Sequence, residues 1–81
     1  MEKEKEIQRG HRAKAILDDE IFAEAIQKVS TELDQEWLNS PIRATEGREK
    51  IYMMKKMLNV LLVQIQSVME TGKLASKQIN K

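Results

Sequence analysis

The stretch from residue 51 to residue 68 constrains this chain most, because it is apolar around most of a helix's circumference. Further apolar residues lie beside its main seam, and between Met57 and Ile65 only Asn59 and Gln64 are polar. A helix of this kind is buried nearly all round. The main seam repeats at spacings of three and four, the heptad pattern of helix–helix contacts, and consists of Ile51, Met54, Leu58, Leu61, Ile65 and Val68.

A chain of 81 residues is short for covering such a helix. Chains of this size bury about 60% of the surface that their unfolded form exposes. There is no cysteine for a disulfide framework or a thiolate metal site. We therefore expect a single domain over residues 1–81, stabilised by helix packing or oligomerisation. Two interpretations stay open: the first helix wraps the exposed side of a monomer, or another molecule covers it.

Local signals predict two helices before this one. A sparse apolar stripe predicts a first helix over residues 2–17, frayed over residues 1–7 because Gly10 weakens it by about 1 kcal/mol relative to alanine. The second helix follows two N-cap candidates, Asp18 and Asp19, and ends before Pro41, since the residue before a proline is pushed out of the α region. β-branched residues never alternate with polar ones for long, which gives strands little support.

The third helix has two competing starts, Ser40-Pro41 and Thr45. Its predicted end is near Thr71, where Gly72 would close it in the left-handed conformation and leave residues 74–81 as a tail. The predicted fold is all-α, a small bundle of about three helices. Helix 2 and a long helix 3 form an antiparallel hairpin, and helix 1 packs across it. Trp37, at the end of helix 2, is expected to be buried near Tyr52 or Met53.

Charge is unevenly divided along the chain. Residues 18–40 carry one basic and seven acidic groups, a net charge of −6. Residues 1–17 have a net charge of +2 and residues 41–81 have +5, so the whole chain has a net charge of +1. An acidic helix between basic ones favours antiparallel packing of neighbouring helices. Exposed ion pairs contribute little free energy, so this charge pattern selects the helix pairing more than it stabilises the fold. The small net charge points to neither nucleic acid nor an anionic membrane. Because no apolar run reaches roughly 18 residues and the start is highly charged, we expect a cytoplasmic protein without membrane contact.

Few residues are candidates for chemistry. His11 is the only histidine and has no cysteine partner for a metal site. An acidic cluster is formed by Asp18, Asp19 and Glu20. Capping of the second helix is a simpler explanation for it than a metal site or an acid–base site. No glycine loop for phosphate and no Ser-His-Asp set is present. We expect a non-enzymatic protein with no cofactor, no metal and no small-molecule substrate.

The excess apolar surface of the third helix predicts association with a protein partner or with further copies of the chain. The residues expected at that interface are Met54, Met57, Leu58, Leu61, Leu62, Ile65 and Val68. The alternative is a small regulator that binds nucleic acid through a basic patch. Its contacts would be Arg9, Arg12, Lys14 and Lys55, although glutamates lie beside the first three.

The chain also resembles a family of small helical proteins encoded by tailed bacteriophages and prophages. The resemblance covers residues 8–75, and the extended charged amino terminus departs from it. It implies a viral, non-enzymatic protein in the host cytoplasm or associated with the virion, encoded near packaging and head genes. An inhibitor of a host protein would also act by protein–protein contact, so it stays an alternative. The residues that carry it are Arg9-Gly10, Ala13, Leu17, Asp18-Asp19, Phe22, Ala25, Leu33, Trp37, Ser40-Pro41, Arg48-Glu49, Tyr52, Leu58 and Glu70-Thr71-Gly72-Lys73.

Overall fold

Three helices make up almost all of the part of the chain that the structure describes. In this computed structural model, which describes residues 2–79, helix α1 spans Glu2–Asp18, α2 spans Glu20–Asn39 and α3 spans Thr45–Ile79. No strand occurs within residues 2–79. The predicted all-α fold of three helices is confirmed.

A single residue, Asp19, separates α1 from α2. Its backbone is extended (φ −63°, ψ 126°), and its Oδ1 accepts a hydrogen bond of 2.8 Å from the Phe22 backbone N–H. This bond satisfies one of the free donors at the start of α2, so Asp19 is the N-cap. Asp18 is instead the last residue of α1, and its carboxylate pairs with Lys14 one turn earlier.

The connection from α2 to α3 begins at Ser40, which precedes the proline and is extended (φ −73°, ψ 137°). Its backbone N–H and its Oγ both donate to the Trp37 carbonyl oxygen, at 3.2 Å and 2.6 Å. These bonds satisfy a free acceptor at the end of α2. Of the two predicted starts for the third helix, Thr45 is the one observed.

The end of α3 differs from the prediction. The helix continues past Thr71 to Ile79, and no glycine among the described residues has a positive φ. The predicted left-handed cap at Gly72 is therefore wrong, and residues 74–79 are helical rather than a tail. Gly72 is buried against α1, so its lack of a side chain serves a close helix contact instead of a helix end. Residues 80 and 81 lie outside the described part of the chain.

The beginning of α1 also differs from the prediction. Residues 2–7, expected to be frayed, belong to α1, and Met1 lies outside the described residues. Glu6 and Ile7 are half-buried, because this first part of α1 lies beside Gly72 and its neighbours on α3. Tertiary packing thus supports the half of α1 that Gly10 was expected to weaken.

The closest packing in the molecule lies between α1 and α3. It is built on small residues spaced three apart, Gly10 and Ala13 on α1 and Gly72 and Ala75 on α3, and all four are buried. A Cβ added to Gly10 would lie 2.8 Å from the Gly72 Cα. The two backbones are therefore in direct contact, which larger side chains would prevent.

α2 packs on the first half of α3 in antiparallel orientation, as predicted for this hairpin. Lys55 Nζ of α3 lies 2.7 Å from Asp34 Oδ1 of α2, and the Arg48 guanidinium lies over the Trp37 ring at 4.3 Å. Residue numbers thus rise along one helix as they fall along the other. Leu33 is the buried residue of α2, and Ile51 is the buried residue in the first half of α3.

α1 and α2 lie one after the other along α3. Ala13 and Ile16 of α1 border a groove with Ile65 and Val68 of α3, whereas α2 contacts α3 near residues 48–55. The molecule measures 57 × 23 × 16 Å, and 35 helical residues at 1.5 Å each span about 52 Å. α3 therefore runs the full length of the molecule, and α1 packs along it with antiparallel direction.

Candidate association surface

The fold leaves an unusually large surface exposed. Within residues 2–79 only four apolar residues are buried: Ala13, Leu33, Ile51 and Ala75. The accessible surface is 6764 Å², whereas a compact monomer of 9.4 kDa exposes about 5,000 Å². The radius of gyration is 17.4 Å, against about 12 Å for a compact domain of this length. The elongated shape thus exposes roughly 1,700 Å² beyond the compact case.

The largest group of exposed apolar side chains lies on the first half of α3. We call this group the α3 stripe, and its members are between 46% and 62% exposed: Met53, Met54, Met57, Val60 and Leu61. At 3.6 residues per turn they fall within an arc of about 120°. Ile51, Leu58 and Leu62, which are buried or half-buried, lie just outside this arc. The stripe is therefore an apolar face with no covering helix in the chain.

The structure divides the seven residues predicted at the interface into two groups. Met54, Met57 and Leu61 belong to the exposed α3 stripe. Leu58, Leu62, Ile65 and Val68 are half-buried inside the chain's own helix packing. The predicted set omits Met53 and Val60, although their spacings from Met57, four and three residues, are the signal that places all three on one helix face.

Charged residues flank the stripe at both ends, with opposite sign. Glu46 and Glu49 line an open cavity of about 450 Å³ with Met53, and we call this the acidic end. Arg9 and Arg12 of α1 line a second open cavity, of about 320 Å³, beside Gln64, Ile65 and Val68 of α3, and we call this the basic end. None of these four charged side chains has an ion-pair partner within residues 2–79. Lys50 also lies at the acidic end, and Glu6 lines a cavity with Arg9 at the basic end, which leaves net charges of −1 and +1.

Trp37 and Tyr52 lie in a groove between α2 and α3. They border the same two open cavities, of about 490 Å³ and 270 Å³, and Trp37 is half-buried. Arg48 covers the Trp37 ring, and Lys56 Nζ lies 5.3 Å from the centre of the Tyr52 ring. Of the two predicted neighbours of Trp37, Tyr52 shares its groove, whereas Met53 lines the cavity at the acidic end.

The four residues predicted to contact nucleic acid do not form one patch. Lys14 pairs with Asp18 and Lys55 pairs with Asp34, so both ammonium groups have a carboxylate partner. Arg9 lies level with Val68, thirteen residues from Lys55 along α3, a distance of about 20 Å. Only Arg9 and Arg12 share a surface, at the basic end.

The remaining candidates for chemistry are exposed or engaged in contacts within their own helices. His11 is exposed on α1, Asp19 is engaged as the N-cap of α2, and Asp18 pairs with Lys14. Over residues 2–79, no group of three or more histidine, cysteine or acidic side chains is placed to hold a metal ion. None of the three helices has an apolar segment long enough to cross a membrane, within the same residues.

Comparison of the chain with protein-family models, with curated proteins and with solved structures finds no match.

Proposed function

We propose that this chain is a non-enzymatic association protein that acts by helix–helix contact through the α3 stripe. The observation that supports this function is the stripe itself, five adjacent apolar side chains that no helix of the chain covers. Contiguous exposed apolar surface bordered by charged residues is typical of protein-binding sites. The acidic end and the basic end provide that border.

The composition and the area of the surface suit this function. Three of the five side chains are methionines, whose flexible thioethers adapt to the shape of a partner. A stable interface buries about 800 Å² on each partner. The five stripe side chains are only about half exposed, so an interface of this size also includes the acidic and basic ends.

The resemblance to small bacteriophage proteins adds a biological setting to this proposal. From the order of residues given above, we propose that the association takes part in virion assembly or occurs in the host cytoplasm. An inhibitor of a host protein would use the same apolar face, so the identity of the bound protein separates the two roles. Nucleic-acid binding is the weaker candidate, because Lys14 and Lys55 are paired with carboxylates and lie apart from Arg9 and Arg12.

Site-specific photo-crosslinking tests the proposed function. A photoreactive phenylalanine analogue replaces Met57 at the centre of the stripe, and the matched control carries it at Leu38, an apolar residue of α2 that is 75% exposed. Both chains are irradiated in cells in which the chain naturally occurs. We expect discrete adducts, with itself or with another protein, from position 57 and none from position 38. Equal labelling from both positions, or none from position 57, would contradict the proposal.

A further inference from the structure

We propose that the α3 stripe binds a second copy of this chain, with the two α3 helices antiparallel about a two-fold axis at Met57. The inference deepens the proposed function and rests on it, since it names the partner of the same surface. In the resulting dimer of six helices, the two α2–α3 hairpins form a four-helix part with the stripes at its centre.

The register follows from the positions along α3. Residues 46, 50, 53, 57, 60 and 64 follow one another at spacings of four and three, so they lie on one face of the helix. With the axis at Met57, Met53 of one chain lies opposite Leu61 of the other, and Met54 lies opposite Val60. Lys50 then lies opposite Gln64, a neutral residue. Every apolar member of the stripe therefore meets an apolar side chain.

The charges at the two ends favour this arrangement over a parallel one. In the antiparallel register Glu46 lies level with Val68 of the second copy and Glu49 with its Ile65. Arg9 and Arg12 border the groove at those two residues. The acidic end of each chain thus meets the basic end of the other, and the two-fold axis makes this contact twice. A parallel pair would instead place Glu46 and Glu49 beside the same residues of the second copy.

A standard interface needs about 800 Å² from each chain. The dimer contact therefore includes the acidic and basic ends together with the five half-exposed side chains of the stripe. The face between Met53 and Val60 carries no charged residue at its centre, so pairing removes apolar surface from water without burying an unpaired charge.

Sedimentation equilibrium of the purified full chain tests the pairing. We expect twice the 9.4 kDa chain mass at micromolar concentration. Met57→Glu places two carboxylates together on the axis and should weaken dimerisation by at least about tenfold, while Leu38→Glu on α2 should leave it unchanged. Circular dichroism verifies that both variants keep their helices. A wild-type chain that is monomeric at hundreds of micromolar, or a dimer indifferent to Met57→Glu, overturns the proposal.

Charge reversal tests the antiparallel register. The variant Arg9→Glu/Arg12→Glu makes both ends acidic, and Glu46→Arg/Glu49→Arg makes both ends basic. Each variant alone should dimerise about fivefold more weakly than wild type or worse, and an equimolar mixture should recover wild-type affinity as a heterodimer. In a parallel pair each end faces its own copy, so neither variant would weaken dimerisation, and that result overturns the register.

The outcomes also separate this inference from the proposed function. A chain that stays monomeric yet forms adducts with a different protein from position 57 overturns self-pairing and leaves the association function standing. A chain that neither dimerises nor forms adducts from position 57 overturns both.

Discussion

Gly10 of α1 and Gly72 of α3 touch through their backbones: a Cβ built on either glycine would lie 2.8 Å from the Cα of the other. Both glycines lie inside helices, where glycine is about 1 kcal/mol less favourable than alanine. The contact sets the distance between α1 and α3, and with it the position of the first helix along the molecule.

Because of this contact, two glycine-to-alanine substitutions inside helices are expected to lower the unfolding free energy rather than raise it. Gly10→Ala and Gly72→Ala each improve helix propensity, but the new methyl group meets backbone atoms that cannot move aside. Overpacking of this kind costs about 1–3 kcal/mol and the gain in helix propensity is about 1 kcal/mol, so each variant should lose about 1 kcal/mol of unfolding free energy. Urea denaturation at one fixed chain concentration measures the change.

Gly47→Ala is the matched control, because no atom lies within 4 Å of a Cβ at that position. It should leave the unfolding free energy unchanged or raise it by up to about 1 kcal/mol. Gly72→Ala behaving like Gly47→Ala would show that the backbones of α1 and α3 do not touch.

Ala75 tests the same contact one turn further along α3. It is 1% exposed, so Ala75→Leu should force α1 away and cost about 1–3 kcal/mol in urea denaturation. Its neighbour Leu74 is 58% exposed, and Leu74→Ala should change the unfolding free energy by less than about 0.5 kcal/mol. Equal effects would mean that residues 74–79 do not pack on α1.

Trp37→Ala removes a half-buried ring that packs under Arg48. Truncating a fully buried tryptophan to alanine costs about 3–5 kcal/mol. Because Trp37 is only half-buried, we expect a loss of about 2 kcal/mol of unfolding free energy, including the cation–π contact. Thermal or urea unfolding followed by circular dichroism measures the loss, because the substitution removes the chain's only tryptophan. Leu38→Ala on the same helix should be nearly neutral, and a negligible effect of Trp37→Ala would place the ring outside the packed surface.

Asp19 and Asp18 are adjacent aspartates with different roles. Asp19→Ala removes the N-cap of α2 and should cost about 1 kcal/mol, and Asp19→Asn should recover most of it because its amide oxygen also accepts from the Phe22 N–H. Asp18→Ala breaks only an exposed pair with Lys14 and should cost a few tenths of a kcal/mol. Chemical denaturation of the three variants measures the difference, and equal losses for the two alanines would contradict the assignment of the cap.

Local sequence was enough for the number of helices and for the two breaks between them. Asp19 and the Ser40-Pro41 pair act through their own backbone and nearest neighbours, so their effect is readable without knowing the fold. Gly72 was misread for the opposite reason. A glycine both ends helices and permits close helix contacts, and only the presence of Gly10 on the opposite helix selects the second role.

The sequence by itself determined that α3 carries more apolar surface than one neighbour can cover. It did not determine which part of that surface stays exposed, because the apolar residues between Met57 and Ile65 form overlapping stripes with equally good periodicity. The tertiary structure decided this, because α2 packs on α3 near residues 48–55 and α1 packs on α3 beyond the stripe, at Ile65, Val68 and Gly72. Leu58 and Leu62 are half-buried, whereas Met53, Met57 and Val60 are exposed on the α3 stripe. The charged ends of that face were likewise unreadable from sequence, since Arg9 and Val68 meet only because α1 folds back along α3.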